Sequence, residues 1–235
     1  MQTIQTQSKG YVYIATCSSK YLYAALNSAQ SLKDHYPDAK ITLFTTENLL
    51  DDELYDVFEN VITENVPNDK RAKLWALSKT PYDITAYIDA DTVIESDDIS
   101  LMFDQLGDND MLFTKIRRYN SNPKGYLDDP GYIYHGGVCL YRKNDKSIHF
   151  MSEWWRRWNE TRPMETFQTE YPNIPPKMKE WDQFYLWYLI NRTDHGLKID
   201  FFVDDARWNF VTGYLREELN DKSIIIKHQT IKLVL

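Results

Sequence analysis

The stretch YDITAYIDADTVI, residues 82 to 94, brings an apolar run directly up to two carboxylates. Ile84, Ala86, Tyr87 and Ile88 have the composition of a buried strand, and the run ends on Asp89 and Asp91 with only Ala90 between them. Two ionised carboxylates at that spacing repel: at an effective dielectric of about 20, unit charges about 4 Å apart interact by roughly 4 kcal/mol. Protonation, a cationic side chain or a metal ion must offset that repulsion. A hard divalent cation takes oxygen ligands and keeps positions open for phosphate oxygens, so an Asp-x-Asp pair at a strand end suits Mg²⁺ or Mn²⁺ bridging a diphosphate. Adjacent acidic pairs also occur at 51–52, 97–98, 128–129 and 204–205, where a cap or a solvated loop is the ordinary explanation. Only the position after a strand separates Asp89 and Asp91 from these, and a structural turn remains the competing reading.

The elements that would position the pair follow a regular rhythm. YVYIAT (11–16) reads as a first strand, and Tyr21, Ala25, Ala29 and Leu32 then recur at helical spacing up to His35, before Pro37. KITLFTT (40–46) alternates as a second strand, LLDDELYDVF reads as a short helix and NVITENV as a third strand. DKRAKLWALS (69–78) is helical in pattern, and DITAYIDA follows as the fourth strand. This βαβαβ order predicts a single α/β domain, a mostly parallel, Rossmann-like sheet flanked by helices. Ligands of such sheets bind beyond the carboxyl ends of the strands, where Thr16-Cys17 and Asp89-Ala90-Asp91 both fall.

After Asp91 the pattern changes. Ser96 is placed to cap a helix through Leu106, with Ile99, Phe103 and Leu106 on one face. DMLFTK reads as a strand, 119–131 as a loop, and YIYHGGVCLYR as a strand interrupted by Gly136-Gly137. A helix is expected over 146–159, an irregular connection over 162–178, a buried helix at EWDQFYLWYLI, and closing strands at KIDFFV and SIIIKH.

The chain has 235 residues, 43% of them hydrophobic, enough for a substantial core. Its net charge of -8 argues against a general nucleic-acid binder, which needs clustered Lys and Arg. Cys17 and Cys139 are too few for a disulfide framework. The first residues, MQTIQTQSK, are polar, and no apolar run reaches the roughly 18 residues of a spanning helix. The expectation is a reduced, soluble, cytoplasmic protein that supplies no membrane anchor.

KLWALSKTPYDITAYIDADTVI resembles the central signature of nucleotide-sugar glycosyltransferases of the GT-A fold, and is most similar to the retaining, glycogenin-like and galactinol-synthase-like family eight. GYVYIATCSSKYLYAALNSAQSLKDHYPDAKITLFTT resembles that family's first strand, helix and second strand. YHGGVCLYRKN is similar to its FNSGV or FNAGV segment, WDQFYLWYLI to its Asp-Gln helix, and RWNFV followed by IIIKH to its closing Asn and metal-binding His. The resemblance implies a nucleotide-binding part over about 10–115 and an acceptor-side part over about 116–235 of one domain. It implies Asp89, Asp91 and His228 as ligands of Mn²⁺ or Mg²⁺, with Ala90 against the nucleotide. It further implies Tyr21 stacked on uracil, Thr16 lining the nucleotide pocket and Lys73 on the sugar diphosphate. Gly136 and Gly137 would let backbone approach the donor sugar, and Asp182 and Gln183 would lie on the face where transfer occurs. The partners implied are a UDP-sugar donor and a glycan or other hydroxyl acceptor.

The chain departs from the family pattern in three places. His135 stands where the family has Asn. The C-terminal His-x-x-Gly-x-x-Lys-Pro-Trp is replaced by His228 followed by QTIKLVL, leaving Lys232 to stand in for the phosphate-binding lysine. The segment between Asp91 and the glycine pair is also longer than in glycogenin, which points to the acceptor.

Each residue also has a plainer reading. A lone histidine such as His228 at a strand end is more often a hydrogen-bonded structural residue than a ligand, since a metal site needs several convergent groups. Lys73 can be a solvated lysine on its helix face, and Tyr21 the first core residue of its helix. Asp182 can cap or pair within its own helix, and if buried it needs a partner either way. The tryptophans of EWWRRW fit helix packing better than a sugar platform, and Tyr126, Tyr132 and Tyr134 are better placed for an acceptor. Retention by front-side attack, with Asp182 as an alternative nucleophile or electrostatic stabiliser, competes with an inverting transferase, a nucleotidyltransferase and a non-catalytic nucleotide-sugar or glycan-binding protein.

Overall fold

The structure, a computed structural model, describes residues 7–116, 134–161, 169, 179–213 and 216–229. β1 (Lys9–Ala15), β2 (Ile41–Thr45), β3 (Asn60–Ile62) and β4 (Ile84–Ile88) alternate with α1 (Ser19–His35), α2 (Leu54–Val57) and α3 (Ala72–Ala76). β5 (Thr92–Ile94), β6 (Met111–Lys115), β7 (Tyr134–Arg142), α4 (Asp145–Arg156), α5 (Asp182–Arg192), β8 (Ile199–Phe201), α6 (Asp205–Trp208), β9 (Phe210–Val211) and β10 (Ile226–His228) follow. Seven strands form one sheet in the order β3-β2-β1-β4-β7-β6-β8, and β5-β10-β9 form a second. β1 runs parallel to β2 and β4, and β2 to β3. β7 is antiparallel to both β4 and β6, and β8 is parallel to β6. This is the mostly parallel α/β sheet expected, in the arrangement of the GT-A fold.

Strand alternation divides the core between the two faces. Tyr11 and Tyr13 of β1, Ala86 and Ile88 of β4, and Leu140 of β7 face α1 together with the 3-10 segment Asp97–Leu106. Tyr87, Phe113, Cys139 and Tyr141 face the opposite way, onto Leu74, Leu77, α4 and α5. β4 is buried along its whole length, which explains an apolar run without polar alternation. Trp154 and Trp158 of the EWWRRW stretch belong to this second core cluster, with Trp155 partly buried beside them, so helix packing is their role.

Several elements differ from the sequence expectations. Residues 49–58 give only the short α2, because Asp51 folds into turns that accept from Leu54 and Tyr55 follows from Asp52. The 69–78 helix starts at Ala72, since Asp69 accepts from the backbone N–H groups of Arg71 and Ala72 and caps it there. Ser96 does cap its segment, accepting from Asp98 N–H, but Asp97–Leu106 is a 3-10 helix, with Phe103 only partly buried. The glycine pair does not break β7, which stays paired with β4; instead its ladder with β6 slips between Phe113 and Thr114. SIIIKH contributes β10 to the small sheet, not to the main one, because it pairs with β5 just after Asp91. The 119–131 loop, most of the 162–178 connection, Tyr126, Tyr132 and Lys232 lie outside the described residues. Among the described residues no helix is long and apolar enough to cross a membrane.

Trp154 joins α4 to the site: it is 0% exposed, and its indole N–H donates to the Asp182 carbonyl over 2.8 Å. Trp154→Ala removes both, and we expect a loss of about 3–5 kcal/mol in urea denaturation.

Candidate metal and diphosphate centre

The acidic doublet leaves the sheet at the carboxyl end of β4. Asp89 N–H donates to the Gly137 carbonyl over 2.8 Å, one residue past the last β4–β7 pair, Ile88 with Val138. The chain then turns into β5, where the Thr92 hydroxyl donates to the Asp89 carbonyl over 2.9 Å. β5 pairs antiparallel with β10, with Thr92 opposite His228, and Gln229 N–H donates to the Asp91 carbonyl over 2.7 Å. A ladder of only three pairs therefore delivers His228 to Asp91, 137 positions away in the chain.

His228 Nε2 lies 3.1 Å from Asp91 Oδ1 and 4.0 Å from Asp89 Oδ2, and one ligand atom from each of the three residues falls within 4.8 Å of the others. The competing reading of Asp89 and Asp91 as a plain turn does not explain this convergence. Gly137 is what permits it: a Cβ there would sit 2.9 Å from Asp89 Oδ2 and 2.7 Å from His135 Cε1. Two carboxylates and an imidazole suit Mn²⁺ or Mg²⁺ in ligand type, with about half of an octahedral coordination sphere left for other oxygens.

Cationic groups face the acids from the start of α3. Lys73 Nζ lies 3.1 Å from Asp89 Oδ1, 3.4 Å from Asp182 Oδ2 and 3.3 Å from the Gly136 carbonyl, and 5.6 Å from the Tyr87 ring centre. The side chain is only 11% exposed, which rules out a solvated helix-face lysine. Arg71 Nε reaches Asp182 Oδ1 at 3.5 Å from the more open side. Burial would lower the Lys73 ammonium, but Asp89 and Asp182 outweigh it and hold the value above that of a free lysine. Burial likewise pushes the Asp182 carboxyl up, while Lys73 and Arg71 bring it below the usual carboxylate range. Asp182 is thus an ionised carboxylate with two cationic partners, in the first turn of α5.

Thr16 and Tyr21 sit at the end of β1 and the start of α1. They line a cleft of about 160 Å³ with Arg71, Lys73, Ala90 and Asp91. The Thr16 hydroxyl donates to the Asp69 carbonyl over 2.6 Å, so it fastens β1 to the loop that launches α3. A second cavity of about 490 Å³ shares Arg71, Lys73, Asp89 and Asp91 and continues to His135, Asp182, Gln183 and His228. Gly136 lies against the core: a Cβ there would lie 2.8 Å from Trp154 Cη2. Tyr134 stacks on Phe201 with ring centres 4.8 Å apart. A separate groove of about 350 Å³ by α4 and the end of α5, lined by His149 and Glu153, shares no residue with this centre.

Reading the sequence missed Arg71 and Tyr87. Arg71 lies two places before Lys73 in DKRAKLW, and the density of basic residues next to a strand end was the available signal. Tyr87 passes for a core aromatic in mid-strand, yet its hydroxyl donates to Asp89 Oδ1. Asn209, the closing Asn of the RWNFV resemblance, is fully buried and lies between His135 and His228.

No protein-family model matches the chain, and no curated protein matches it significantly. Solved structures do. The glycosyltransferase GlyE from Streptococcus pneumoniae TIGR4 superposes with a TM-score of 0.58 at 16% identity, over 94% of this chain and 54% of that one. The galactosyltransferase LgtC, solved with donor and acceptor sugar analogues, gives 0.55 at 17% identity over 94% of this chain and 86% of that one. The bifunctional glycosyltransferase WbbM gives 0.57 at 13% identity, over 97% of this chain and 46% of that one. The chain therefore spans about half the length of GlyE and of WbbM. At these identities the likeness establishes a shared GT-A fold.

Two outcomes follow for the metal-free protein. Burial lowers the His228 imidazole, but its hydrogen bond to Asp91 and the two carboxylates raise it above the ordinary histidine value. Burial raises Asp91, but His228 brings it below the ordinary carboxylate value. The His228 contribution is complete below about pH 6.5 and is lost as pH rises through the raised value; the Asp91 contribution is present above about pH 3.9 and is lost as pH falls through the lowered one. Stability measured by thermal unfolding should decline from weakly acid to alkaline buffer, and Asp91→Asn should flatten that decline. Lys73→Met leaves Asp89 and Asp182 short of a buried cation and should cost about 3–5 kcal/mol in chemical denaturation.

Proposed function

We propose that this chain is a metal-dependent glycosyltransferase that moves a sugar from a UDP-sugar to an acceptor hydroxyl, with retention at the anomeric carbon. The observation that carries the reading is the meeting of Asp89, Asp91 and His228 at the carboxyl edge of the sheet, facing Lys73 and Arg71. The GT-A likeness and the resemblance to family eight support it.

Asp89, Asp91 and His228 would hold the Mn²⁺ or Mg²⁺. When bound, the ion supplies Lewis-acid stabilisation of the charge that collects on the departing diphosphate. Lys73 and Arg71, already fixed by their carboxylate partners, add positive charge from the other side, with Lys232 as a further phosphate contact. Tyr21 and Thr16 flank the nucleoside, Ala90 lies against it, and Gly136 and Gly137 give the donor sugar a floor without side chains. Gln183 and the ionised Asp182 face the sugar. Asp182 stabilises positive charge at the anomeric carbon as the glycosidic bond breaks, and the acceptor hydroxyl attacks from the same face as the diphosphate leaves, a leaving phosphate oxygen taking the hydroxyl proton. The nucleotide side is built from about residues 10–115 and the acceptor side from about 116–235.

The test is turnover. With Mn²⁺ and a panel of nucleotide-sugars, the protein should hydrolyse its own donor slowly. Asp91→Ala should reduce that rate on the order of a hundredfold or more. NMR of the glycoside formed with an acceptor should show the donor's anomeric configuration. Inversion would remove the mechanism, and saturable binding of a nucleotide-sugar without turnover on any acceptor would mark a binding module instead.

A further inference from the structure

The strongest unexplained group at the centre is a buried amide between two imidazoles. Asn209 is 0% exposed. Its Nδ2 lies 2.9 Å from Thr114 Oγ1 and 3.0 Å from His135 Nδ1, and its Oδ1 lies 2.9 Å from His228 Nδ1. Which end of an amide is oxygen, and where an imidazole keeps its proton, follow from the partners. Here one partner leaves no choice.

The backbone N–H of Gly137 points at His135 Nδ1 over 3.0 Å. A backbone N–H can only donate, so His135 Nδ1 must carry a lone pair. The Asn209 atom facing that lone pair must then be the NH₂ end. Its other end, the carbonyl oxygen, faces His228 Nδ1, which must therefore carry a proton. The expendable proton of His228 is the one on Nε2, the nitrogen that faces Asp91 and Asp89. With a lone pair on Nδ1, the buried His135 ring is neutral. With Nδ1 used as an acceptor, its proton sits on Nε2.

We propose that Gly137, His135 and Asn209 form a hydrogen-bond relay that positions His228, keeping its Nδ1 protonated and reserving Nε2 for the divalent ion. The relay also leaves His135 as a fixed N–H donor on the wall of the larger cavity, where it would meet an oxygen acceptor of the donor sugar. The ion's part rests on the glycosyltransferase reading; the proton positions do not. His135 and Asn209 are positioning residues for His228, since they act on the ion through another side chain.

Long-range ¹H–¹⁵N NMR of the imidazoles, in metal-free protein and alkaline buffer, reads the proton positions directly. His135 should show the Nε2–H form and His228 the Nδ1–H form. Asn209→Leu should release His228, letting Asp91 draw its proton to Nε2, and weaken binding of Mn²⁺ with UDP, by calorimetry, about 10- to 100-fold. Asn209→Asp still accepts from His228 Nδ1–H. It should keep that form. This near-isosteric variant guards against a simple folding defect in the leucine variant. A bare Nδ1 on His228 in the wild type, or Mn²⁺ binding unchanged by Asn209→Leu, would overturn the relay. Proton positions as stated with no binding of Mn²⁺ and UDP would support the relay and sink the transferase reading.

Discussion

The site depends on holding two carboxylates at the end of a fully buried strand. Left alone, Asp89 and Asp91 would repel by an amount comparable to a large share of a domain's net stability. The fold meets this with three separate positive or proton-donating groups. Lys73 comes from α3, Tyr87 from the same strand two residues before Asp89, and His228 from a small sheet that closes late in the chain. None of these is a neighbour of the others in sequence except through β4. The charge balance therefore reports that the whole αβ scaffold has assembled.

The same groups explain why the centre is a cleft rather than a core. Asp182, buried and ionised, shares Lys73 with Asp89 and takes Arg71 from outside. The acids and cations alternate around the space that the two cavities share. A diphosphate entering with its cation would exchange these internal pairs for its own, so the recognition charge is already present and oriented. Glycine at 137 lets Asp89 and His135 come together, and glycine at 136 lets β7 pack on Trp154. At 137 a side chain would collide with the Asp89 carboxylate and the His135 ring; at 136 it would strike Trp154.

The fold's first half was legible because its signals are local. β1, β2 and β4 carry enough β-branched and aromatic residues to stand out, and α1 shows helical spacing over four turns. The Asp89–Asp91 pair was legible because it ends such a strand. β5 and β9 have three and two residues, too few for a period, and exist only through their pairing with β10, the strand that SIIIKH does announce. Helical spacing also cannot separate an α-helix from the 3-10 segment Asp97–Leu106, since both repeat near every third or fourth residue. Lys73 and His228 came from resemblance to a family. The closing Asn209 of RWNFV came from it too, but without a role; Arg71 and Tyr87 did not, because each looks like an ordinary helix or strand residue until the chain is folded.

The most direct measurement is a crystal structure of the protein with Mn²⁺ and UDP, with the ion located by anomalous scattering. The account predicts one strong peak bonded to Asp89, Asp91 and His228 Nε2, with the diphosphate oxygens completing its coordination beside Lys73 and Arg71. A nucleotide seated elsewhere, or the two aspartates turned away with no ion between them, would contradict it.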